Sequence, residues 1–314
     1  MSSYGYLKQF SGSAKDFGRV AVLMGGNSAE REISLQSGNA ILRGLRENNI
    51  EAVAIDVDEK ILSILSNTDA DRVFIALHGA GGEDGRIQAL LEWLNLPYTG
   101  SGVQASALAM DKLKTKLIWR GSGLPTPEFD ILTPATDFSV VLEKLGGQCF
   151  VKPVGEGSSI GMRCVDTTQD LRDAYHYASN FHSEVIAESR IVGREFTVAI
   201  LNEVALPVIE LKVKNVFYDY DAKYLSGKAE YICPTNLSEK KMLEIETLAL
   251  KAFHVLGCKS WGRIDFMQDE AGVFYLLEAN TVPGMTAHSL VPIAAKTGGL
   301  QFNEVLQEIL VATL

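Results

Sequence analysis

The chain has 314 residues, 46% apolar and 22% charged, a globular composition long enough to bury a sizeable core in two or three domains at ~100–200 residues each. Its net charge of −10 excludes the basic surface that non-specific binding to nucleic acid or anionic lipid requires. It leaves anionic substrates open, because they need only a local cluster of cations. No run is apolar enough for a membrane span; the longest uncharged stretch, residues 93–110, carries Asn, Pro, Thr, Ser and Gly.

Residues 1–18 lack an apolar signal core and read as a frayed or loosely docked arm. Residues 19–24, RVAVLM, read as a buried parallel strand entering the turn at Gly25-Gly26. Ser28 ahead of Ala29-Glu30-Arg31-Glu32 reads as a capping box opening a helix over 29–48. A strand at 51–57, a helix near 59–65, a strand at 71–79, a helix at 87–94 and a short strand start at 96–99 follow. Strands alternating with helices mean a parallel sheet with helices on its faces.

The composition shifts after Met110: residues 111–121 form a basic helix, and Leu124-Pro125-Thr126-Pro127 is a linker-like break. A second αβ unit has strands at 147–153, 161–165 and 184–188 and a helix at 168–179. From Glu195 the pattern turns to long, antiparallel-looking strands, and the polar, aromatic stretch 215–230 reads as a mobile loop. A helix at 239–256, a hairpin at 262–279 and a last helix at 301–311 complete the chain. Cys149, Cys164, Cys233 and Cys258 are widely spaced, as reduced core thiols of a cytosolic protein would be. The five histidines lack zinc spacing.

Four segments carry chemistry. In the hairpin, G-R-I-D-F-M pairs with V-F-Y-L-L-E-A-N. Side chains two apart on a strand share a face, so Arg263 goes with Asp265 and Glu278 with Asn280. Two carboxylates and a carboxamide are hard oxygen donors suited to Mg²⁺ or Mn²⁺, although an exposed polar hairpin face would look the same. The second segment, V-K-P-V-G-E-G-S-S-I-G-M over 151–162, sets Lys152 at a strand end before a glycine-rich loop. Such a loop cradles phosphate oxygens with backbone N–H groups, and a plain glycine-rich turn is the alternative. It matches neither the P-loop nor the dinucleotide pattern. The third, L-H-G-A-G-G-E-D-G over 77–85, puts glycines and His78 at a strand end where a ligand crevice opens. The fourth, Y-D-Y-D-A-K-Y over 218–224, suits a closing flap as well as a solvated loop. Glu30, in the first helical turn, is ambiguous too, since the helix dipole alone favours a carboxylate there.

Together with M-G-G-N-S-A-E-R-E-I-S-L, Y-T-G-S-G-V-Q-A-S-A-L-A-M-D-K, E-F-T-V-A-I-L and L-L-E-A-N-T-V-P-G-M-T-A-H-S-L-V-P, these segments occur in an order that closely resembles the D-alanine–D-alanine ligases of the ATP-grasp fold. The resemblance runs from about residue 19 to the end. It implies an α/β architecture, α+β in its C-terminal part: an arm at 1–18, a parallel-sheet substrate domain at 19–112, a central ATP-grasp domain at 113–196, and a catalytic domain at 197–314 with a lid near 212–230. It implies that ATP phosphorylates the carboxylate of one D-alanine and that the amine of a second displaces phosphate, as in peptidoglycan precursor synthesis. Two D-alanines per turnover, two Mg²⁺ or Mn²⁺, a cytoplasmic homodimer, and no nucleic-acid or membrane partner go with it.

Motif by motif, the resemblance makes Lys112, Lys152, Ser159 and Lys223 the phosphate contacts, and gives Glu188 and Glu195 the adenine and ribose. Asp265, Glu278 and Asn280 match metal ligands; Arg263 and the Gly284 amide match an oxyanion hole. Glu30, with His78 beside it, matches the partner of the first D-alanine's ammonium, Ser158 and Tyr224 the pair near the attacking amine, and Ser289 and Leu290 the site of the second D-alanine. Ser189 stands where the family usually has Lys, and Ala287 where it often has Ser. Relatives that make the D-lactate ester generally carry Phe at the position of Tyr224, so Tyr implies an amine acceptor. The competing expectation is another ATP-grasp carboxylate–amine ligase with a different amino-acid substrate.

Overall fold

The computed structural model describes residues 10–213 and 229–314. β1 (Arg19–Gly25), α1 (Arg31–Glu47), β2 (Glu51–Val57), α2 (Ile61–Ser66), β3 (Arg72–Ile75) and α3 (Arg86–Trp93) build a parallel sheet ordered β2-β1-β3. β1 is central and covered on both sides; Val20 through Leu23 have no exposed surface, as expected of a strand with helices on both faces. The edge strand β2 alternates buried and exposed instead.

α4 (Val103–Met110) and α5 (Lys112–Gly121) lead into an antiparallel sheet of β4 (Phe129–Leu132), β5 (Cys149–Pro153), β6 (Arg163–Val165) and β7 (Val185–Ser189), backed by α6 (Phe138–Lys144) and α7 (Thr168–Ala178). Its order is β4-β7-β5-β6. β8 (Gly193–Leu201), β9 (Val204–Ala205), β10 (Ile209–Val213), β11 (Ala229–Ile232), β12 (Trp261–Asp269) and β13 (Phe274–Asn280) form the third sheet, ordered β11-β10-β8-β12-β13 with β9 on β8, and α8 (Glu239–Val255) covers it. α9 (Leu290–Thr297) and α10 (Phe302–Val311) return to the first sheet and share its apolar core. α10 lies close on α1: a Cβ at Gly44 would stand 2.6 Å from Leu306 Cδ1.

Several expectations need correction. The residue three after Ser28 is Arg31 rather than Glu, so no capping box forms. The helix starts at Arg31, with Glu30 as its cap residue making no side-chain cap bond. Ser28 Oγ instead donates to the His78 carbonyl at 2.7 Å. The stretch read as a loose arm is docked where it is described. Ser13 and Asp16 cap a 3-10 turn, Phe17 is fully buried, and the Phe10 N–H donates to Glu308 Oε1 at 2.6 Å. α4, β4, α6 and α9 carried no sequence expectation. α4 is a short uncharged run and α9 holds Pro292 in its first turn, where proline is tolerated.

Candidate active site

Two cavities open between the sheets. The larger, about 530 Å³, lies between the β4–β7 sheet and the β8–β13 sheet. One wall carries Phe150, Lys152, Met162 and Glu188, and the other Glu195, Asp265, Met267 and Glu278. The smaller, about 450 Å³, lies beside the α1 start and holds Glu30, His78, Ser158, Arg263, Gly284 and Ser289 among its lining. Lys112 and Glu278 line both cavities, with Lys112 Nζ 4.0 Å from Glu278 Oε2. The two spaces therefore meet at one cation and one carboxylate.

The acidic hairpin is set by register. Asp265 stands opposite Glu278, and Arg263 opposite Asn280. Arg263 donates to both Asp265 oxygens, at 2.8 and 2.9 Å; Thr197 Oγ1 donates to Oδ1 at 2.6 Å and Asn280 Nδ2 to Oδ2 at 3.1 Å. A bulge between Asp265 and Phe266 breaks the two-residue alternation on β13. Leu277, expected on the face away from Glu278, consequently lines the larger cavity beside it. Among the described residues no three His, Cys, Asp or Glu side chains are gathered as a metal cage. Two carboxylates and a carboxamide are hard oxygen donors of the kind Mg²⁺ takes.

The glycine-rich loop over 154–161 bridges the cavities: Ser158 faces the smaller and Ser159 the larger. Both serines have left-handed φ values, 51° and 61°, a strained conformation for non-glycine residues that clusters at functional sites. Ser158 Oγ donates to Glu30. Gly157 and Gly79 permit the backbone to approach that carboxylate, since a Cβ would lie 3.0 and 2.7 Å from Glu30 Oε2. The Lys112 ammonium donates to the Glu156 carbonyl and ties the start of α5 to the loop.

His78 is buried and faces the Val282 carbonyl through Nδ1 at 2.9 Å and Ser37 Oγ through Nε2 at 3.2 Å. A carbonyl only accepts, so Nδ1 carries the proton and Nε2 accepts from Ser37. Burial lowers the His78 pKa, against the pull of Glu30, and keeps the ring neutral. Ser37 Oγ also accepts from the Met285 N–H at 3.1 Å, which fixes the 281–289 segment over the cavity.

Sequence reasoning missed two ionisable groups, a half-buried Glu83 and a buried Lys116. Glu83 accepts from the Gly79 and Val282 N–H groups at 2.7 and 3.3 Å; burial, helped by nearby Glu30, pushes its pKa up to about 8. Its only sequence signal is its place in the H-G-A-G-G-E-D-G run. Lys116 is 1% exposed and pairs with Glu188. Burial pushes its pKa down to about 8 against the opposing pull of Glu188. Its i,i+4 spacing from Lys112 on α5 is the signal that could have found it. Glu188 lines the larger cavity, and its carboxylate pairs with Lys116 and with Lys152, the latter at 2.6 Å. Burial opposes its ionisation, but the two lysines hold its pKa below the usual range. Glu195, Ser189 and Arg190 line the larger cavity, and Leu290 the smaller. Lys223 and Tyr224, and most of the expected lid, lie outside the described residues.

Two antiparallel sheets facing each other across a cleft lined by lysines and carboxylates define an ATP-grasp fold. Residues 118–311 match the family described as "D-ala D-ala ligase C-terminus", and residues 19–69 and 61–101 match "D-ala D-ala ligase N-terminus". A D-alanine–D-alanine ligase of Saccharophagus degradans is 56% identical over 309 residues, covering 98% of each chain. One of Acinetobacter baumannii is 51% identical over 304 residues, 96% of this chain and 98% of that one. The crystal structure of a Bacillus anthracis D-alanine–D-alanine ligase complexed with ATP superposes with a TM-score of 0.83 at 32% identity, covering 94% of this chain and 97% of that one. The chain belongs to the D-alanine–D-alanine ligase family and is an enzyme, an ATP-dependent ligase.

Proposed function

We propose that the protein joins two D-alanines into D-alanyl-D-alanine, consuming one ATP through an acyl phosphate, to supply peptidoglycan precursors. The observation that carries this reading is the junction of the two cavities at Lys112 and Glu278. A phosphoryl donor in the larger space and a carboxylate acceptor in the smaller would meet there.

In this reading the triphosphate lies over Lys112, Lys152, Ser159 and the loop amides of 154–161, with the base among Phe150, Met162 and Met267 and the ribose near Glu195. Glu30 holds the ammonium of the first D-alanine, and neutral His78 and Ser158 fix Glu30's surroundings. The carboxylate oxygen of that D-alanine attacks the γ-phosphorus and ADP leaves. The second D-alanine sits against Ser289 and Leu290, at the start of α9, where the partial positive charge of the helix favours its carboxylate. Its amine attacks the acyl carbon, and Arg263 with the Gly284 N–H stabilises the oxyanion until phosphate departs. Holding the two reactants side by side makes amide formation effectively unimolecular.

Asp265, Glu278 and Asn280 offer the oxygen donors for two Mg²⁺ or Mn²⁺, which when bound neutralise charge on the phosphates. Lys223 and Tyr224 would complete the site from the lid, Lys223 on phosphate and Tyr224 beside Ser158. The domain boundaries at 112 and 196, a cytoplasmic location and a homodimer belong to the same reading. Four free cysteines support the cytoplasmic location.

The test is ADP release with D-alanine, L-alanine and D-lactate, with and without Mg²⁺. D-alanine should drive turnover only with the metal, and L-alanine should not. Turnover on another amino acid but not on D-alanine would move the enzyme to a different ATP-grasp ligase. Efficient ester formation from D-alanine and D-lactate at neutral pH would contradict the amine preference assigned to Tyr224.

A further inference from the structure

Behind the wall of the larger cavity lie two buried charges, Lys116 and Glu188, that the reaction above does not use. Lys116 lies one helical turn past Lys112 on α5, on the same face. It does not reach the cleft. Its ammonium pairs with Glu188 and donates to Thr126 Oγ1 at 2.9 Å, and Thr126 in turn donates to the Leu276 carbonyl on β13 at 2.9 Å. The other oxygen of Glu188 takes the ammonium of Lys152 at 2.6 Å, and Lys152 does line the cleft. Side-chain exposures fall from 12% at Lys152 to 2% at Glu188 and 1% at Lys116, so water screens little of this arrangement.

A carboxylate shared between two ammonium groups divides its charge between them. The trio keeps one net positive charge, and the exposed end of that charge is Lys152. If Lys116 were absent, the whole carboxylate would fall to Lys152. The cleft-facing ammonium would then be neutralised and drawn back into the wall. We propose that Lys116 is a positioning residue, the buried counter-ion that keeps Glu188 from cancelling Lys152 and so sets the positive charge offered to polyphosphate in the larger cavity. This rests on the reading that phosphates bind there. It assigns Lys116 no contact with substrate.

The experiment measures binding of Mg-ADP and of inorganic tripolyphosphate by calorimetric titration, alongside kcat and KM for ATP. Tripolyphosphate has no base or sugar, so it reports on charge alone. Lys116→Met should weaken both ligands about tenfold and raise KM for ATP in step, with kcat within about threefold. Lys116→Met combined with Glu188→Gln removes both the counter-ion and the charge it balances, and restores one net positive charge at Lys152. That double variant should bind tripolyphosphate within about threefold of the wild type, and Lys116→Arg should stay close to it as well. A merely structural role would lower the melting temperature of Lys116→Met without moving tripolyphosphate affinity, and that result overturns the inference. So does a double variant as weak as the single one. The ligase reading stands or falls separately, on D-alanine-dependent ADP release by the wild type.

Discussion

Glu188 in the larger cavity and Glu83 in the smaller one, the first buried and the second half-buried, shift in opposite directions. Glu188 touches two ammonium groups, which hold its pKa low although burial would raise it. Glu83 accepts from two neutral backbone N–H groups, and burial, aided by Glu30, raises its pKa to about 8. Burial disfavours the charged form in both; what decides the outcome is whether a full opposite charge is in contact. The nucleotide side is thus built of ionised groups balanced against one another. The amino-acid side sets neutral His78 and a proton-holding Glu83 near Glu30, the carboxylate proposed to meet the first substrate's ammonium.

This contrast can be broken at either end. The largest effect should come from Arg263→Ala, which removes the cation held by Asp265 and the donor proposed for the oxyanion. Turnover should fall by about 10³-fold, equivalent to about 4 kcal/mol, while nucleotide affinity measured by direct titration stays nearly intact. Equal loss of both would indicate a folding defect instead. Next is Glu188→Gln. Removing one member of a buried ion pair strands the others, so denaturant unfolding should show a loss of about 3 kcal/mol. A neutral result would mean that the lysines relax to water and that the balance is weaker than the geometry indicates.

Ser158→Ala takes one hydrogen bond from the Glu30 carboxylate. Hydrogen bonds to charged groups contribute about 1.5–3 kcal/mol, so kcat/KM for D-alanine should drop about 10- to 100-fold with KM for ATP unchanged. The last effect, at Glu83, is read as a pH dependence. Its folded-state pKa of about 8 lies above the ordinary 4.5, so between those values the native state holds a proton that the unfolded chain has released. Stability from this group therefore declines as pH rises through that window. Melting temperatures of the wild type and Glu83→Gln, compared from pH 5 to pH 8, should diverge in favour of the variant as pH rises. A constant gap would show that Glu83 is ionised throughout.

Much of this site was legible from local pattern. The acidic hairpin could be read because strand alternation and a short turn place Asp265 and Glu278 opposite each other with little help from the rest of the fold. The glycine-rich loop was legible for the same reason, as a run of backbone donors beside a strand-end lysine. The bulge that turns Leu277 into the cleft was not, because it inserts a residue without changing the composition. Nor was the hydrogen bond from Ser158 to Glu30, because it joins residues 128 positions apart. Lys116 looked like one more cation on a basic helix; its burial becomes apparent only when β7 brings Glu188 against it.

The amino-acid sequence by itself determined the family, most of the succession of strands and helices, and the inventory of lysines, carboxylates and glycines. Each of these depends on residue type and short spacing, which the chain carries locally. Only the tertiary structure decided which charges meet. Glu188 and Lys116 are 72 positions apart and Ser158 and Glu30 128, so their pairing follows from how three sheets pack around two cavities. A carboxylate's charge state depends on those distant neighbours and on the exclusion of water. That is why two glutamates of identical chemistry end with opposite protonation preferences in one molecule.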